Sequence, residues 1–324
     1  MKKKMMKGGS LSGTYLCDTG ERQFVRKQVS LTENREYGFQ RWNSQLKRLQ
    51  RYNYMFQLYY PKVINYGKYN DEAYFDMEYF PNAITAHEFI LTTLDFKKLD
   101  RFIDQLIYMM SRIHEAQLPS PENAMDLYIH EEIEEKLYAC RHSDRFCNFM
   151  QYEDLYFNGS KCTSFVKVLD EYKGMMKLVY KNPTETFTHG NLTLENILFQ
   201  PETERVIFID PYEENIIDSH LADYSQIYQS SHALYETYDM NFPVIYGNTA
   251  NCLVPRSPGM DYFSLKFSQF INEVCTQEEQ IVIKLLEVSQ FMRMLPFKME
   301  INEDKMLFFY TLGSHLFQQI RDSR

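Results

Sequence analysis

The sequence predicts an α+β chain in which a small antiparallel sheet comes first and a larger, mainly helical region follows. Three observations predict it. Up to about residue 80, short apolar, β-branched or aromatic runs alternate with turn residues, and a single segment has helical spacing. Beyond residue 80, apolar side chains recur every three and four positions over long stretches. Inside that helical region, the window from 186 to 212 (TFTHGNLTLENILFQPETERVIFIDPY) departs from helical spacing with a strand, a polar turn and a second strand ending on Asp210.

The elements follow in order. Residues 8 to 30 read as two strands around the hairpin signal Asp18-Thr19-Gly20, preceded by the Gly/Ser-rich stretch Gly8-Gly9-Ser10-Leu11-Ser12-Gly13. The second strand carries Phe24-Val25-Arg26-Lys27, and period-two alternation puts Lys27 on the face of Val25. From Thr32 to about Gln50 the spacing is helical, with Phe39, Leu46 and Leu49 on an apolar face that also holds Glu36. A carboxylate there needs a partner. Lys27 is the partner this reading assigns, and Glu33, one turn earlier, is the alternate. Residues 61 to 69 and 73 to 79 complete a sheet of about five strands. A helix is expected over 99 to 117, stopping before Pro119, with His114 at its end facing helix carbonyls. Helical runs follow near 127 to 140, 162 to 180, 218 to 236, 260 to 272, 276 to 294 and 303 to 321. Thr276 with Glu279 forms a capping box for the helix that Pro296 is expected to end. The acidic run Glu131, Glu132, Glu134 and Glu135 reads as a solvated helix face.

Composition bounds the function. A chain of 324 residues is long enough for two domains, and 44% hydrophobic with 24% charged residues is an ordinary globular balance. A formal charge of −9 argues against a nucleic-acid-binding surface spread over the molecule. Lys2, Lys3, Lys4 and Lys7 make a basic start, but Gly8-Gly9-Ser10 follows where a signal peptide would have its apolar segment. No apolar run approaches the length of a membrane span. Six scattered Cys without a CxxC pair indicate neither zinc nor a disulfide framework, and reduced thiols fit a cytoplasmic protein. No segment indicates an oligomeric state.

The chemistry sits in the 186 to 212 window. Ile197-Leu198-Phe199 and Val206-Ile207-Phe208-Ile209 pair as a hairpin, so Asn196 at the start of one strand and Asp210 at the end of the other come to the same end. A carboxylate and an amide oxygen are ligands suited to Mg²⁺.

His189-Gly190-Asn191-Leu192 with Asn196, followed by Ile209-Asp210-Pro211, resembles the catalytic and metal-binding segments of the aminoglycoside phosphotransferase and choline kinase group of small-molecule kinases. That group has a protein-kinase-like two-lobe fold, and its pattern is His-Gly-Asp-x-x-x-x-Asn followed by a strand ending Ile-Asp. The resemblance implies a small antiparallel-sheet amino-terminal lobe over residues 1 to 80 and a large helical lobe over 81 to 324. Its implied cofactors are ATP or GTP with Mg²⁺. Gly9, Ser10 and Ser12 would approach phosphates, Lys27 would clamp them with Glu36 as its ion-pair partner, and the backbone of Glu78, Tyr79 and Phe80 would meet the base. Asn196 and Asp210 would hold the metal, and His189 and Asn191 would form the catalytic loop. Asp223 would be structural, accepting from backbone amides of that loop. The implied acceptor is the hydroxyl of a sugar, aminosugar or amino alcohol. No segment resembles the Ala-Pro-Glu end of a protein-kinase activation loop.

One position departs from the pattern: Asn191 stands where the group has its catalytic Asp. An amide accepts a hydrogen bond from a hydroxyl but takes no proton at neutral pH. Three readings stay open: an introduced change in an Asp enzyme, a native kinase with an acidic acceptor, or a pseudokinase that binds a nucleotide or a partner without turnover.

Overall fold

The computed structural model describes residues 2–6, 13–32, 35–180, 184–212 and 215–323, with the backbone alone for 35–37. In chain order its elements begin with β1 (Lys2–Met5), β2 (Gly13–Asp18), β3 (Gln23–Ser30), α1 (Arg35–Met55), β4 (Val63–Tyr69), β5 (Glu72–Glu78), β6 (Ile84–Thr85), α2 (Ala86–Thr92) and α3 (Phe96–Ile113). Next come α4 (Ala124–Ile129), a π-helical turn at His130–Glu134, α5 (Glu135–Ala139), α6 (Asp144–Phe149), β7 (Asp154–Phe157), β8 (Ser160–Thr163) and α7 (Leu169–Val179). The chain ends with β9 (Ile197–Gln200), β10 (Arg205–Phe208), α8 (His220–Ser231), α9 (Tyr235–Asp239), β11 (Val244–Tyr246), β12 (Thr249–Asn251), α10 (Pro258–Val274), α11 (Gln277–Ile301) and α12 (Glu303–Asp322). They divide into two compact units, neither continuous in sequence.

The first unit comprises Met1–Phe89, Asp104–Ile113 and His189–Asn215. Its main sheet is antiparallel, in the order β1-β2-β3-β5-β4. The lysines that read as a basic leader form β1, an exposed edge strand. Lysines at a sheet edge oppose pairing with another chain, which suits them to that place. Val25, Lys27 and Val29 alternate onto one buried face of β3. Helix α1 packs on the sheet, with Trp42 against Phe75 at 6.2 Å between ring centroids. The expected hairpin is present as β9 and β10, paired from Arg205↔Gln200 to Phe208↔Ile197. Strand β6 adds to it as a third strand. The hairpin is anchored to the turn after α1, where the Phe208 amide donates to the Tyr59 carbonyl at 2.7 Å and Arg205 donates to the Leu58 carbonyl at 3.0 Å.

The second unit comprises Ile90–Ile103, His114–Thr188 and Ile216–Arg324. It is mainly helical and owes its core to aromatic and aliphatic faces of α11 and α12, among them Phe291, Phe309 and Phe317. Each such ring taken out of water contributes about 1.5–3 kcal/mol. The unit also holds a four-stranded sheet, β11-β12-β7-β8, that helical spacing did not predict. The sequence does carry the sign of its first hairpin: Asn158-Gly159 lies between β7 and β8 with both residues at positive φ, 46° and 84°. That is the backbone of a two-residue hairpin turn, and Asn-Gly is its preferred pair. The run expected to be helical from 162 is therefore a strand, a 3-10 turn and then α7.

Four further expectations are corrected. Helix α11 does not end at Pro296 but continues to Ile301. Proline costs a helix one hydrogen bond and crowds the preceding turn. Here the last turn is held from outside, because the buried Lys298 ammonium pairs with Asp239 at 2.7 Å and lies over the Tyr235 and Phe309 rings. The single helix expected over 218 to 236 is broken into α8 and α9 by Leu234, whose φ is +55°. The acidic run is only partly solvated. Glu132 pairs with Arg293 of α11 at 3.0 Å, and Lys173 at 2.8 Å holds the Glu134 carboxyl below its ordinary range. His114 pairs through Nε2 with the buried Asp223 carboxylate at 2.9 Å, because a buried anion is a stronger acceptor than a helix carbonyl. Among the described residues no helix is long and apolar enough to cross a membrane.

Candidate functional site

All the described residues that the sequence singles out for chemistry lie in the first unit. Lys27, delivered by the buried face of β3, places Nζ 2.7 Å from Asp210 Oδ1. Its second partner is the side-chain oxygen of Gln45, in the middle of α1, at 3.1 Å. The lysine side chain is 6% exposed and that of Asp210 25%, so the ammonium is desolvated while the carboxylate keeps contact with solvent. Neighbouring Arg26 points the other way and makes a two-pronged bond to Asp76 at 2.6 and 2.8 Å, with its guanidinium 4.1 Å from the Tyr74 ring centroid.

Hairpin pairing sets the other side of the site. The Ile209 amide donates to the Asn196 carbonyl at 2.9 Å, which extends the β9/β10 ladder by one bond and brings Asp210 beside Asn196. Asp210 itself has φ +57°, a left-handed conformation that costs a non-glycine residue energy and that Asp tolerates better than most. The Asn196 side-chain amide donates to the Asn191 carbonyl at 2.7 Å. That contact fixes the amide's orientation and leaves its oxygen as an acceptor.

His189 is fully buried, and both ring nitrogens are engaged by backbone. Nε2 meets the Ile209 carbonyl at 2.8 Å, and Nδ1 accepts from the Asn191 amide at 3.2 Å. A carbonyl can only accept, so the proton is on Nε2 and the ring is a neutral strut between the loop and the end of β10. Gly190 follows with φ +77°. A Cβ there would stand 2.5 Å from the Tyr212 carbonyl oxygen and 2.1 Å from the Asn215 amide nitrogen. The loop therefore requires glycine. Asn191 is half-buried, with its backbone engaged on both sides by His189 and Asn196.

The remaining expectations divide in two. Gly9, Ser10, Ser12 and Glu33 lie outside the described residues, as does the side chain of Glu36. Glu78 ends β5, and its amide donates to the Lys62 carbonyl at 2.9 Å. Tyr79 and Phe80 follow, and the Phe80 carbonyl accepts from the Ala83 amide at 3.3 Å.

Two residues of α1 escaped the sequence reading. Gln45 is one, as Lys27's partner. Arg48 is the other: it is buried and donates to the Tyr212 carbonyl, tying the helix to the segment two residues beyond Asp210. Their signal was spacing, since Gln45 and Arg48 interrupt the buried series Trp42, Leu46, Leu49 and Tyr52 at positions where a solvated face is not due.

The donor set fits a hard cation of the Mg²⁺ kind: one carboxylate and one oriented amide oxygen, with room in the coordination shell for water and phosphate oxygens. No group of three or more His, Cys, Asp or Glu able to hold a metal occurs among the described residues.

No family model matches the chain, and no curated protein matches it by sequence. In a comparison with solved structures, a candidate fructosamine-3-kinase from Haemophilus somnus 129PT is similar over 99% of this chain and 91% of its own, with a TM-score of 0.60 and 10% identity. At that identity the likeness concerns the fold. The chain has a kinase-like α+β fold, with an antiparallel-sheet amino-terminal region and a mostly helical carboxy-terminal region.

Proposed function

We propose that the chain is a phosphotransferase that moves the terminal phosphoryl group of ATP to a hydroxyl of a small molecule, a sugar, aminosugar or amino alcohol. One observation carries this reading: β3 and a segment distant from it in sequence, running from the loop at 189 to 196 to the end of β10, meet so that Lys27, Asn196 and Asp210 sit together on a kinase-like fold. Phosphoryl transfer asks the protein mainly for positioning and charge neutralisation, and these residues are the types it needs.

In this reading Lys27 binds phosphate oxygens, and Asp210 with Asn196 Oδ1 holds Mg²⁺. Once bound, the cation would neutralise charge on the phosphates. The Glu78 amide and the Phe80 carbonyl are already engaged, so the base edge falls to the backbone of Tyr79 and the amide of Phe80. His189 acts by position: it holds the loop to β10 and with it the distance between Asn191 and Asp210. Asn191 orients the acceptor hydroxyl by accepting its hydrogen bond, and, with no carboxylate base, the hydroxyl proton passes to water or to an oxygen of the transferred phosphoryl group as ADP departs. Loss of a general base lowers a rate by about 10²–10⁴, which still leaves measurable transfer.

A second reading, a nucleotide-binding protein without turnover, is favoured by the same Asn191. One experiment separates them. With Mg²⁺, ATP and a panel of sugars, aminoglycosides and choline-like alcohols, the kinase reading expects ATP-dependent phosphorylation of at least one acceptor, reduced to background in Asp210→Ala. A melting shift with Mg-ATP but no product from any acceptor supports the binding-only reading. Neither shift nor product would overturn both.

A further inference from the structure

The sheet β11-β12-β7-β8 of the second unit buries one face and leaves the other bare along β11 and β12. Burial alternates residue by residue: Pro243, Ala250 and Cys252 are buried on the side of α12, whereas Phe242, Val244, Tyr246 and Leu253 point the other way and are 65 to 91% exposed. Val244 pairs with Asn251, and Phe242 and Leu253 each stand two residues beyond that pair, so period-two alternation puts all four side chains on one face. Large apolar side chains gathered on one exposed face mark an interaction surface.

The strand that carries the stripe is also an unguarded edge. Among the described residues, every other edge strand longer than two residues contains a lysine or arginine: Lys2, Lys3 and Lys4 in β1, Lys68 in β4, Lys161 in β8 and Arg205 in β10. Such charges keep an edge from meeting another chain. Strand β11 has none, and no charged residue occurs from Met240 to Pro255. Charges at the rim are paired: Lys305, 5.9 Å from the Phe242 ring centroid, with Asp239 at 3.6 Å, and Lys161 with Asp154 at 2.7 Å.

We propose that this face docks a second copy of the chain about a two-fold axis passing beside Val244, with the Phe242 end of each stripe on the Tyr246 end of the other. Charge selects that occupant. An uncharged face offers nothing to a nucleic acid or an anionic membrane, and two chains of formal charge −9 meet with least repulsion where neither presents a charge. Symmetry agrees, because an aromatic ring at each end of an apolar stripe is self-complementary about a two-fold. The four side chains offer on the order of 400 Å² in each copy, about half of the ~800 Å² that a stable interface takes from each partner. Tyr156 and Thr249, paired on the same face, begin its rim. Docking here uses none of the residues assigned to phosphate or metal.

The test is sedimentation velocity on the full chain as wild type, Phe242→Glu, Tyr246→Glu and Leu178→Glu. The last adds the same charge at an exposed position of α7, away from the stripe. Wild type and Leu178→Glu are expected to pass from monomer to dimer between about 1 and 100 μM, and each stripe variant to raise the dimer dissociation constant at least about 100-fold. Val244→Cys, under mild oxidation, is expected to link two copies through position 244, whereas wild type treated alike does not; this result decides if a glutamate variant fails to fold. A wild type that stays monomeric at the highest concentration overturns the proposal, as does a dimer that survives both stripe variants or is lost equally in Leu178→Glu. A monomer that floats with neutral lipid vesicles would make the face a membrane contact and overturn it too.

Discussion

At the scale of single residues, Asn191 and Gly190 set opposite tests. Asn191 is held by its backbone, so Asn191→Asp replaces an amide by a carboxylate of nearly the same shape without disturbing His189 or Asn196. In the kinase reading this substitution adds a general base and raises the transfer rate by about 10²–10⁴, checked by product formation with the acceptor that gives the highest wild-type rate. No gain with any acceptor would count against Asn191 as the group facing the hydroxyl. Gly190 is required for a steric reason instead. Gly190→Ala must place a Cβ against the Tyr212 carbonyl at φ +77°, and we expect it to lower stability by about 2–4 kcal/mol in urea unfolding. A cost below about 0.5 kcal/mol would show that the loop opens easily and that His189 does not hold it.

At the scale of elements, the hairpin β9/β10 and helix α11 show what local sequence can and cannot specify. The hairpin has two short apolar runs, a polar turn and a pair of ends that the ladder must bring together, all written within the fifteen residues from Asn196 to Asp210. Helix α11 starts where its capping box says it should: the Thr276 side chain accepts from the Glu279 amide, and Glu279 returns the bond to the Thr276 amide at 2.7 Å. Thr276→Ala is expected to cost about 1 kcal/mol and Thr276→Ser only a few tenths, measured by thermal or urea unfolding. The far end of α11 was not legible because Lys298, Asp239 and Phe309, which hold the turn after Pro296, are distant in sequence. Strands β7, β8, β11 and β12 were missed for a related reason. Each has three or four residues, too few for a period of two to stand out against flanking helical spacing, although Asn158-Gly159 marked one turn.

At the scale of the molecule, the second unit carries a pH signature. Burial, and after it the neighbouring His114, pushes the His220 imidazole down to about 4. Its folded value lies below the ordinary 6.5, so the unfolded chain takes up a proton first as pH falls. The stability tied to neutral His220 is fully present above about pH 6.5 and is lost progressively toward pH 4. We therefore expect the wild-type melting temperature to fall over that window more steeply than that of His220→Gln. The difference between the two curves isolates His220 from other groups that titrate there, such as Glu185, whose carboxyl burial raises. Parallel curves would show that His220 takes its proton as readily folded as unfolded.

By itself the sequence determined the α+β class, strands β2 to β5 of the five-stranded sheet, the hairpin and the candidate residues on it, because each is written in local periodicity, turn chemistry or a short motif. It also determined that position 191 holds an amide. Only the tertiary structure decided which side chain of α1 meets Lys27. Among the described residues that is Gln45, a neutral side chain the helical spacing did not single out, while the side chain of Glu36, the partner the resemblance implies, lies outside them. The tertiary structure likewise decided that Arg48 ties α1 to the segment beyond Asp210, that Asp210 is left-handed, and that Lys27 and Asp210 face each other as an ion pair. The physical reason is the range of the forces involved. Strands and caps form between near neighbours in the chain, but the partner of a buried charge is whichever group the packing brings within about 3 Å, and no local pattern encodes that.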